Sequence, residues 1–369
     1  MTDSPDTAPA HVSIADDATE AAPIDPALIA LGWNAKLQAA WVGLGSPGMP
    51  QRVVRLDRGW SSIVGADGEL QRVRNIGADV AAGDWVVVAD DGGRVEHVIE
   101  RNSAFIRRAS FEGARAEAHT LAANVDVAFL LHALTTPPNP RRIERELVLA
   151  FDSGAKPVLV LTKLDAVDPV AATAAAAFVE DIAAGVDLRL VSSRAGNGLD
   201  GIIEYAALGR TLAFLGASGV GKSTLVNALV GRDVQATADV RVGDDRGRHT
   251  TVAAELVALP VGGWLIDTPG LRAISLWSSG HGIERAFPDI FDLTDRCRFR
   301  DCKHEDEPGC AVQAAIADGT LDPRRLVSMK HLVAEELALE DEQRDKEKDK
   351  DKRHRKPRTS SRDDTADDD

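Results

Sequence analysis

The run Gly216-Ala217-Ser218-Gly219-Val220-Gly221-Lys222-Ser223 constrains the fold more than any other stretch of this chain. It fits G-x-x-x-x-G-K-[ST], follows the apolar segment 211–215 and precedes a helix-like segment, 222–230. Strand, glycine-rich turn and helix are the context this motif needs. The glycines let backbone N–H groups converge on phosphate oxygens at a helix N-terminus, where the dipole already favours an anion. Lys222 would reach the outer phosphates, the Ser223 hydroxyl would ligate Mg²⁺, and Thr224 completes the loop. A nucleotide-binding α/β sheet is therefore expected, with the ligand at the carboxyl ends of its strands.

Two further motifs extend that site. Asp267-Thr268-Pro269-Gly270 follows the strand-like 264–266, where an acidic residue helps hold Mg²⁺ and Gly270 frees a backbone N–H for the γ-phosphate. Alone, D-x-x-G is only a turn; after a P-loop it gains meaning. Thr162-Lys163-Leu164-Asp165 follows the strand-like 157–161. A carboxylate at Asp165 can accept from both N1–H and the exocyclic amine of guanine, a pair adenine does not supply. Lys163 would lie over the base plane, and Ser192 and Ser193, before Arg194, suit backbone and hydroxyl contacts to the base. A Lys/Asp turn after a strand would read the same if the motif stood alone.

The set is complete but rotated, since the guanine motifs precede the phosphate motifs. Cutting a fold elsewhere leaves its geometry intact if the original termini can be joined, so the expectation is a circularly permuted G domain. Between the P-loop and Asp267 lies Arg246-Gly247-Arg248-His249-Thr250-Thr251, suited to a switch loop that covers Mg²⁺ and the γ-phosphate. Leu271 cannot orient water as a Gln would. His249 is the nearest polar candidate for that task, although a solvated loop histidine reads identically.

Elsewhere the texture changes. Residues 33–108 show short β-runs at 52–56, 60–64, 84–88 and 94–99 between Gly- and Asp-rich turns, which predicts an OB-type barrel or another small barrel or sandwich. Buried-type runs at 125–131, 157–161, 188–191, 211–215 and 264–266 alternate with helical patterns at 141–150, 171–182 and 222–230, the signature of a mainly parallel sheet. Helical periodicity returns at 323–339. Three cysteines confined to 297–310, with a histidine among them, give Cys297, Cys302, His304 and Cys310 as C-x₄-C-x-H-x₅-C. An odd cysteine count is no disulfide framework, whereas Cys₃His is a closed tetrahedral zinc set with no open position, so structural Zn²⁺ is expected.

The net charge of −15 argues at first against nucleic acid, but the termini carry much of it. Residues 1–30 hold six acidic residues and no Lys or Arg; residues 340–369 hold twelve acidic and ten basic. A basic patch can survive in the mildly acidic remainder. No run of about 18 apolar residues occurs, and the N-terminus lacks a basic start and apolar core. A cytoplasmic protein without membrane contact is the default, with a monomer as the expectation.

Barrel, permuted G domain and Cys-x₄-Cys-x-His-x₅-Cys, in that order over residues 33–335, resemble the RsgA (YjeQ) family of bacterial small-subunit-dependent GTPases. The resemblance implies an α/β multidomain chain with 33–113 an OB-fold RNA-binding domain, 114–280 the GTPase domain and 281–339 a helical zinc domain; outside the resemblance, composition makes 1–32 an expected disordered tail and 340–369 a charged tail. For the last, a solvated disordered segment is expected, with helix extension the alternative. The resemblance further implies GTP hydrolysis stimulated by the 30S subunit in late 30S maturation, contact with 16S rRNA, and roles for His249 in hydrolysis and for Thr250 and Thr251 as switch residues. Basic candidates for rRNA are Arg101, Arg107, Arg108, Arg296, Arg298 and Arg300. The rivals are a P-loop ATPase and an RNA-binding scaffold that uses nucleotide as a switch with negligible turnover. One departure stands out: Thr162 occupies a position where G proteins usually have Asn. That change removes an amide able to bond the base and brace the P-loop and puts affinity in question, while Asp165 keeps the guanine preference.

Overall fold

The computed structural model describes residues 24–57, 59–111, 114–207, 209–231, 254–267 and 281–355. The chain opens with two short helices, α1 (Pro26–Ala30) and α2 (Ala35–Gly43). Asp25 caps α1, with Pro26 in its first turn, and Asn34 caps α2 through the amides of Lys36 and Leu37. Neither helix was legible as such. Residues 24–32 correct the expectation of a disordered tail through 32: Leu28 and Trp33 bury against Leu37, Trp85 and Ile99, with the Trp33 and Trp85 rings edge-on at 4.7 Å.

Five strands follow: β1 (Gln51–Asp57), β2 (Trp60–Val64), β3 (Leu70–Arg74), β4 (Trp85–Val88) and β5 (Val95–Val98). β1 pairs antiparallel with β2 and β4, β2 with β3, and β4 with β5, while a single parallel bridge joins Arg74 to Arg94. Val53, Ile63, Val73, Val80, Val86 and Val95 fill the space they enclose. Next comes a hairpin, β6 (Ala104–Phe111) and β7 (Ala114–Ala123), a two-stranded sheet of its own that a parallel bridge joins to Ala82 through Ala122. It spans 113/114, where the sequence reading set a domain boundary. The hairpin thus corrects that boundary, since its strands cannot belong to separate units.

The α/β region contains β8 (Val127–Ala133), α3 (Pro140–Ser153), β9 (Lys156–Thr162), α4 (Pro169–Ile182), β10 (Asp187–Leu190), α5 (Asp200–Ile203), β11 (Thr211–Gly216), α6 (Lys222–Val230), β12 (Glu255–Ala258) and β13 (Trp264–Asp267). Asn139 and Asp168 cap α3 and α4, each with Pro in the first turn, and Gly154 in the left-handed region ends α3. The sheet order is β10-β9-β8-β11-β13-β12, parallel throughout except for β12. β11 is central although it comes late in the chain, which is what a rotated order of motifs requires. One apolar layer packs Leu130, Ile143, Leu147 and Leu159 beneath α3; the other packs Phe129, Val160, Leu212 and Leu225 beneath α6.

β1 joins this sheet to the strands that precede it. β12 pairs with β1 through Arg55 and Glu255, making one continuous sheet. The fully buried Arg52 of β1 donates from Nη2 to Thr211 Oγ1 at 2.6 Å and from Nη1 to the Leu31 carbonyl. Thr211 in turn donates its backbone N–H to Asp126 at 2.7 Å.

C-terminally, α7 (His281–Ala286), α8 (Pro288–Thr294), α9 (Ala311–Ala317) and α10 (Pro323–Arg355) complete the chain. Arg325 of α10 binds Glu144 of α3 at 3.0 Å, the Ile182 carbonyl at 2.9 Å and Asp289 of α8 at 2.6 Å. Burial raises the Glu144 carboxyl, and Ser328 and Arg325 oppose that shift. The helix expected over 323–339 runs on to Arg355, so a disordered tail from 340 is corrected for 340–355. Alternating Glu, Asp, Lys and Arg without Gly or Pro sustain it, with Asp341 and Arg344 paired at 3.1 Å. Among the described residues no helix is long and apolar enough to cross a membrane.

Arg52→Ala removes the guanidinium that links β1, the Leu31 turn and β11. It should lower stability by roughly 3 kcal/mol, read as a reduced urea midpoint for the full chain.

Candidate nucleotide and metal sites

Parallel pairing of β11 with β8, Gly216 opposite Leu131, sets the phosphate-loop residues against the strand that also carries His132 and Ala133. Gly216 has φ +146°, and a Cβ there would lie 2.6 Å from the Leu131 carbonyl, so only glycine lets the loop leave the strand at this point. Gly221, φ +103°, begins α6 without a side-chain cap, leaving the first helical amides unclaimed by any cap. Lys222 folds back across the loop and donates from Nζ to the carbonyls of Gly216 and Ala217 at 2.5 and 2.7 Å. Ala217, Ser218, Gly219 and Val220 form the turn, while Ser223 and Thr224 are half-buried in the first turn of α6. In kind and position the loop suits an anionic ligand.

β9 ends at Thr162, and Lys163 follows in the left-handed region at φ +60°, which turns the chain sharply. Leu164 ties that turn back through its amide to the Val191 carbonyl at 3.2 Å. Asp165 stands exposed, its Oδ1 accepting from the buried Ser192 hydroxyl at 2.6 Å. That hydrogen bond holds the Asp165 carboxyl below the usual carboxylate range, so it remains an acceptor as pH falls into that range. Here the sequence reading needs revision. Ser192 Oγ also accepts from Ala195 N–H at 3.1 Å, so the hydroxyl orients Asp165 and is not free for a base.

The two motifs meet. One cleft of about 200 Å³ is lined by Thr162, Lys163, Asp165, Ser193, Gly221 and Thr224, joined by Ala166 and Arg194. Residues 59 positions apart in sequence, Thr162 and Gly221, share its wall. The expected loss of the P-loop brace at position 162 is corrected: the Thr162 hydroxyl donates to the Val220 carbonyl at 2.5 Å. On the far side of Lys163 a second cleft of about 310 Å³ runs along Ala217–Val220 to a buried pair, His132 Nε2 and Glu146 Oε2 at 3.1 Å, with Arg142 on the other Glu146 oxygen at 2.9 Å. A larger cavity of about 530 Å³, between Pro138, Phe178 and Arg324, holds no member of the nucleotide set.

Asp267 ends β13 one residue past Ile266, which lies opposite Ala213 of β11. His249, Thr250, Thr251, Gly270 and Leu271 lie outside the described residues.

In the C-terminal helices Cys297 Sγ lies 3.7 Å from His304 Nδ1 and 3.9 Å from Cys310 Sγ, with Cys310 Sγ 3.5 Å from His304 Nδ1. With Cys302, all four ligand atoms fall within 4.8 Å of one another. Tetrahedral zinc, about 2.3 Å from sulfur and about 2.0 Å from nitrogen, separates neighbouring ligands by about 3.5–3.8 Å. The donor set therefore fits Zn²⁺ in kind and spacing. Two positioning residues escaped the sequence reading. Glu307 accepts the amides of Lys303 and Glu305, both at 2.8 Å, which pulls its carboxyl down to about 2. Gln313 Nε2 donates to the His304 carbonyl at 2.7 Å, holding that residue in its left-handed turn. The Gln313 contact forms only when the loop folds back on α9, and those of Glu307 depend on how the loop itself turns, so spacing alone does not reveal them.

Asp165→Asn presents an amide where a carboxylate stood. It should weaken GTP binding about a hundredfold and favour xanthosine triphosphate, whose C2 oxygen accepts from the new side-chain amide where the guanine amine had donated to the carboxylate; nucleotide competition measures this. Stripping metal with a strong chelator, or Cys310→Ser, should release one zinc per chain and lower the melting temperature, followed by colorimetric metal titration and calorimetry.

The chain matches the profile of the RsgA GTPase family over residues 98–277. It is 45% identical over 323 residues to the small ribosomal subunit biogenesis GTPase RsgA of Streptomyces coelicolor, covering 84% of this chain and 86% of the relative. To the protein of that name in Methanosarcina acetivorans it is 36% identical over 324 residues, 85% and 86% of the two chains. Among solved structures, YjeQ from Thermotoga maritima superposes with a TM-score of 0.58 at 25% identity, covering 78% of this chain and 98% of that one. YloQ, described as a circularly permuted GTPase, gives 0.57 at 25% identity, covering 79% and 96%. With a P-loop strand at the centre of a permuted sheet and a Cys₃His group beyond it, the chain belongs to the RsgA GTPase family.

Proposed function

We propose that this protein hydrolyses GTP to GDP and phosphate in the service of small ribosomal subunit biogenesis, and that the 30S subunit stimulates it during late maturation. The observation that carries the reading is the single cleft in which Asp165 and Lys163 stand beside Gly221 and Thr224. A guanine-selective acceptor next to a phosphate loop is of use only to a nucleotide that carries both. Mg²⁺ would be held by Ser223 and Asp267 together with phosphate oxygens, and it would neutralise charge developing on the transferred phosphoryl group. His249 would position water, Thr250 and Thr251 would cover the γ-phosphate, and the Gly270 amide would sense it. Closure of that switch on the subunit, and release after hydrolysis, would make the protein a timed visitor to a cytoplasmic particle, acting as a monomer.

The barrel supports an RNA-facing role. Its strand neighbours run β1-β2-β3, then through the Arg74–Arg94 parallel bridge to β5, β4 and back to β1, the circuit expected of an OB fold. On β2 and β3 the Trp60 ring lies between Arg72 and Arg74, each guanidinium 5.0 Å from it. Stacking and phosphate contacts to 16S rRNA suit such a face. Arg101 leaves the group of rRNA candidates, because it is spent on Asp84 at 2.7 Å and Thr120 at 2.7 Å. Arg107 is exposed on the hairpin, and Arg298 packs over the exposed Phe299 ring in the zinc loop near Arg296 and Arg300.

Steady-state phosphate release from GTP and ATP, with and without purified 30S subunits, tests the reading. Slow GTP-only turnover that rises at least tenfold with 30S is expected. Equal use of ATP would remove the guanine role of Asp165, and GTP turnover indifferent to 30S would remove the ribosomal partner.

A further inference from the structure

Thr162 fronts the cleft in which a base would lie, and its hydroxyl has one proton to give. That proton goes to the Val220 carbonyl at 2.5 Å; the His132 carbonyl, at 3.3 Å, is the weaker acceptor. The side chain is 2% exposed, and its strand is paired on both sides, with β8 at Ala133 and with β10. A β-branched residue so enclosed keeps one χ1 setting. Val220, for its part, stands between Gly219 at φ +77° and Gly221 at φ +103°, the two most freely turning points of the loop. A tether at that residue restrains both.

We propose that Thr162 is a positioning residue that holds the phosphate loop through Val220 while giving the N7 edge of a bound guanine no hydrogen bond. The inference rests on the GTP-site reading above. Guanine N7 and O6 are both acceptors, and so are the lone pairs left on the Thr162 oxygen once its proton is committed. An amide here would carry two donors and could serve carbonyl and base together; a hydroxyl serves one. Base selection therefore falls on the opposite edge of the ring, through Asp165.

Equilibrium competition against a fluorescent GTP analogue decides it, using the full chain with GTP, GDP, 7-deaza-GTP and ATP. The wild type should bind 7-deaza-GTP within about twofold of GTP, since no bond to N7 is lost. Thr162→Val should weaken GTP, GDP and 7-deaza-GTP by the same factor, about tenfold; Thr162→Ser should restore most of that affinity. Thr162→Asn should tighten GTP selectively and create a preference of about fivefold over 7-deaza-GTP. Melting temperature and zinc content of each variant report whether it is folded, and the wild-type analogue comparison needs no variant at all. A wild type that rejects 7-deaza-GTP, with Thr162→Val abolishing the rejection, would show that the hydroxyl reads the base and overturn the proposal. So would a folded Thr162→Val with unchanged affinity. Failure of the wild type to bind GTP would instead bring down the site reading itself and this inference with it.

Discussion

Everything at the nucleotide site depends on the parallel pairing of β11 with β8. Those strands are separated by three helices and two other strands in sequence, yet Gly216 lies opposite Leu131. That register brings the carboxyl ends of β8, β9 and β11 to one edge, where a parallel sheet leaves room for a ligand. From there Thr162, at the end of β9, reaches the loop that follows β11. Shift β11 by one residue and Gly216 no longer clears the Leu131 carbonyl, while side chains that now fill two apolar layers would face the wrong helices.

Around this axis the remaining parts are fastened by a shared apolar cluster, in which Ile143 and Leu147 of α3 meet Ile283, Phe287 and Leu326 of the C-terminal helices, and by two arginines. Arg52 joins barrel to sheet at the foot of β11, and Arg325 joins the C-terminal helices to α3, α4 and α8. Both arginines are largely removed from solvent, with carbonyls or carboxylates around them, so each desolvated charge is matched by several acceptors. Apolar packing builds each region and also runs between them; the guanidinium groups add directional contacts at those seams. The zinc loop follows the same pattern on a smaller scale, with Glu307 and Gln313 shaping the backbone that carries the ligands.

Residues whose roles are local were legible in the sequence. Strand Trp60–Val64 and helix Lys222–Val230 match the reading to the residue, because periodicity and flanking glycines define them without help from elsewhere. The grouping of Cys297, Cys302, His304 and Cys310 was equally plain from type and spacing. The hairpin Ala104–Ala123 was not, since its second strand, rich in Ala, has little β propensity and exists by virtue of its partner. Helix Ala35–Gly43 was hidden by its weak apolar periodicity beneath a barrel-like texture. Ser192 and Thr162 were identified as site residues but with the wrong tasks: a hydroxyl's partner depends on which chain segment arrives beside it.

The permuted order also fixes when each half of the molecule comes into being. β8, β9 and β10 are complete by Leu190, whereas β11 starts at Thr211. In a chain growing from its N-terminus, the inner edge of β8 waits about 80 residues for its neighbour, and residues 127–131, all buried in the finished sheet, wait with it. An apolar strand with one unpaired edge is the form of a nascent chain most prone to aggregate. The segment that covers this edge also bears the phosphate loop. Escape from that hazard and assembly of the ligand cradle are thus one event during biosynthesis, and a chain stalled before it would be both sticky and inert.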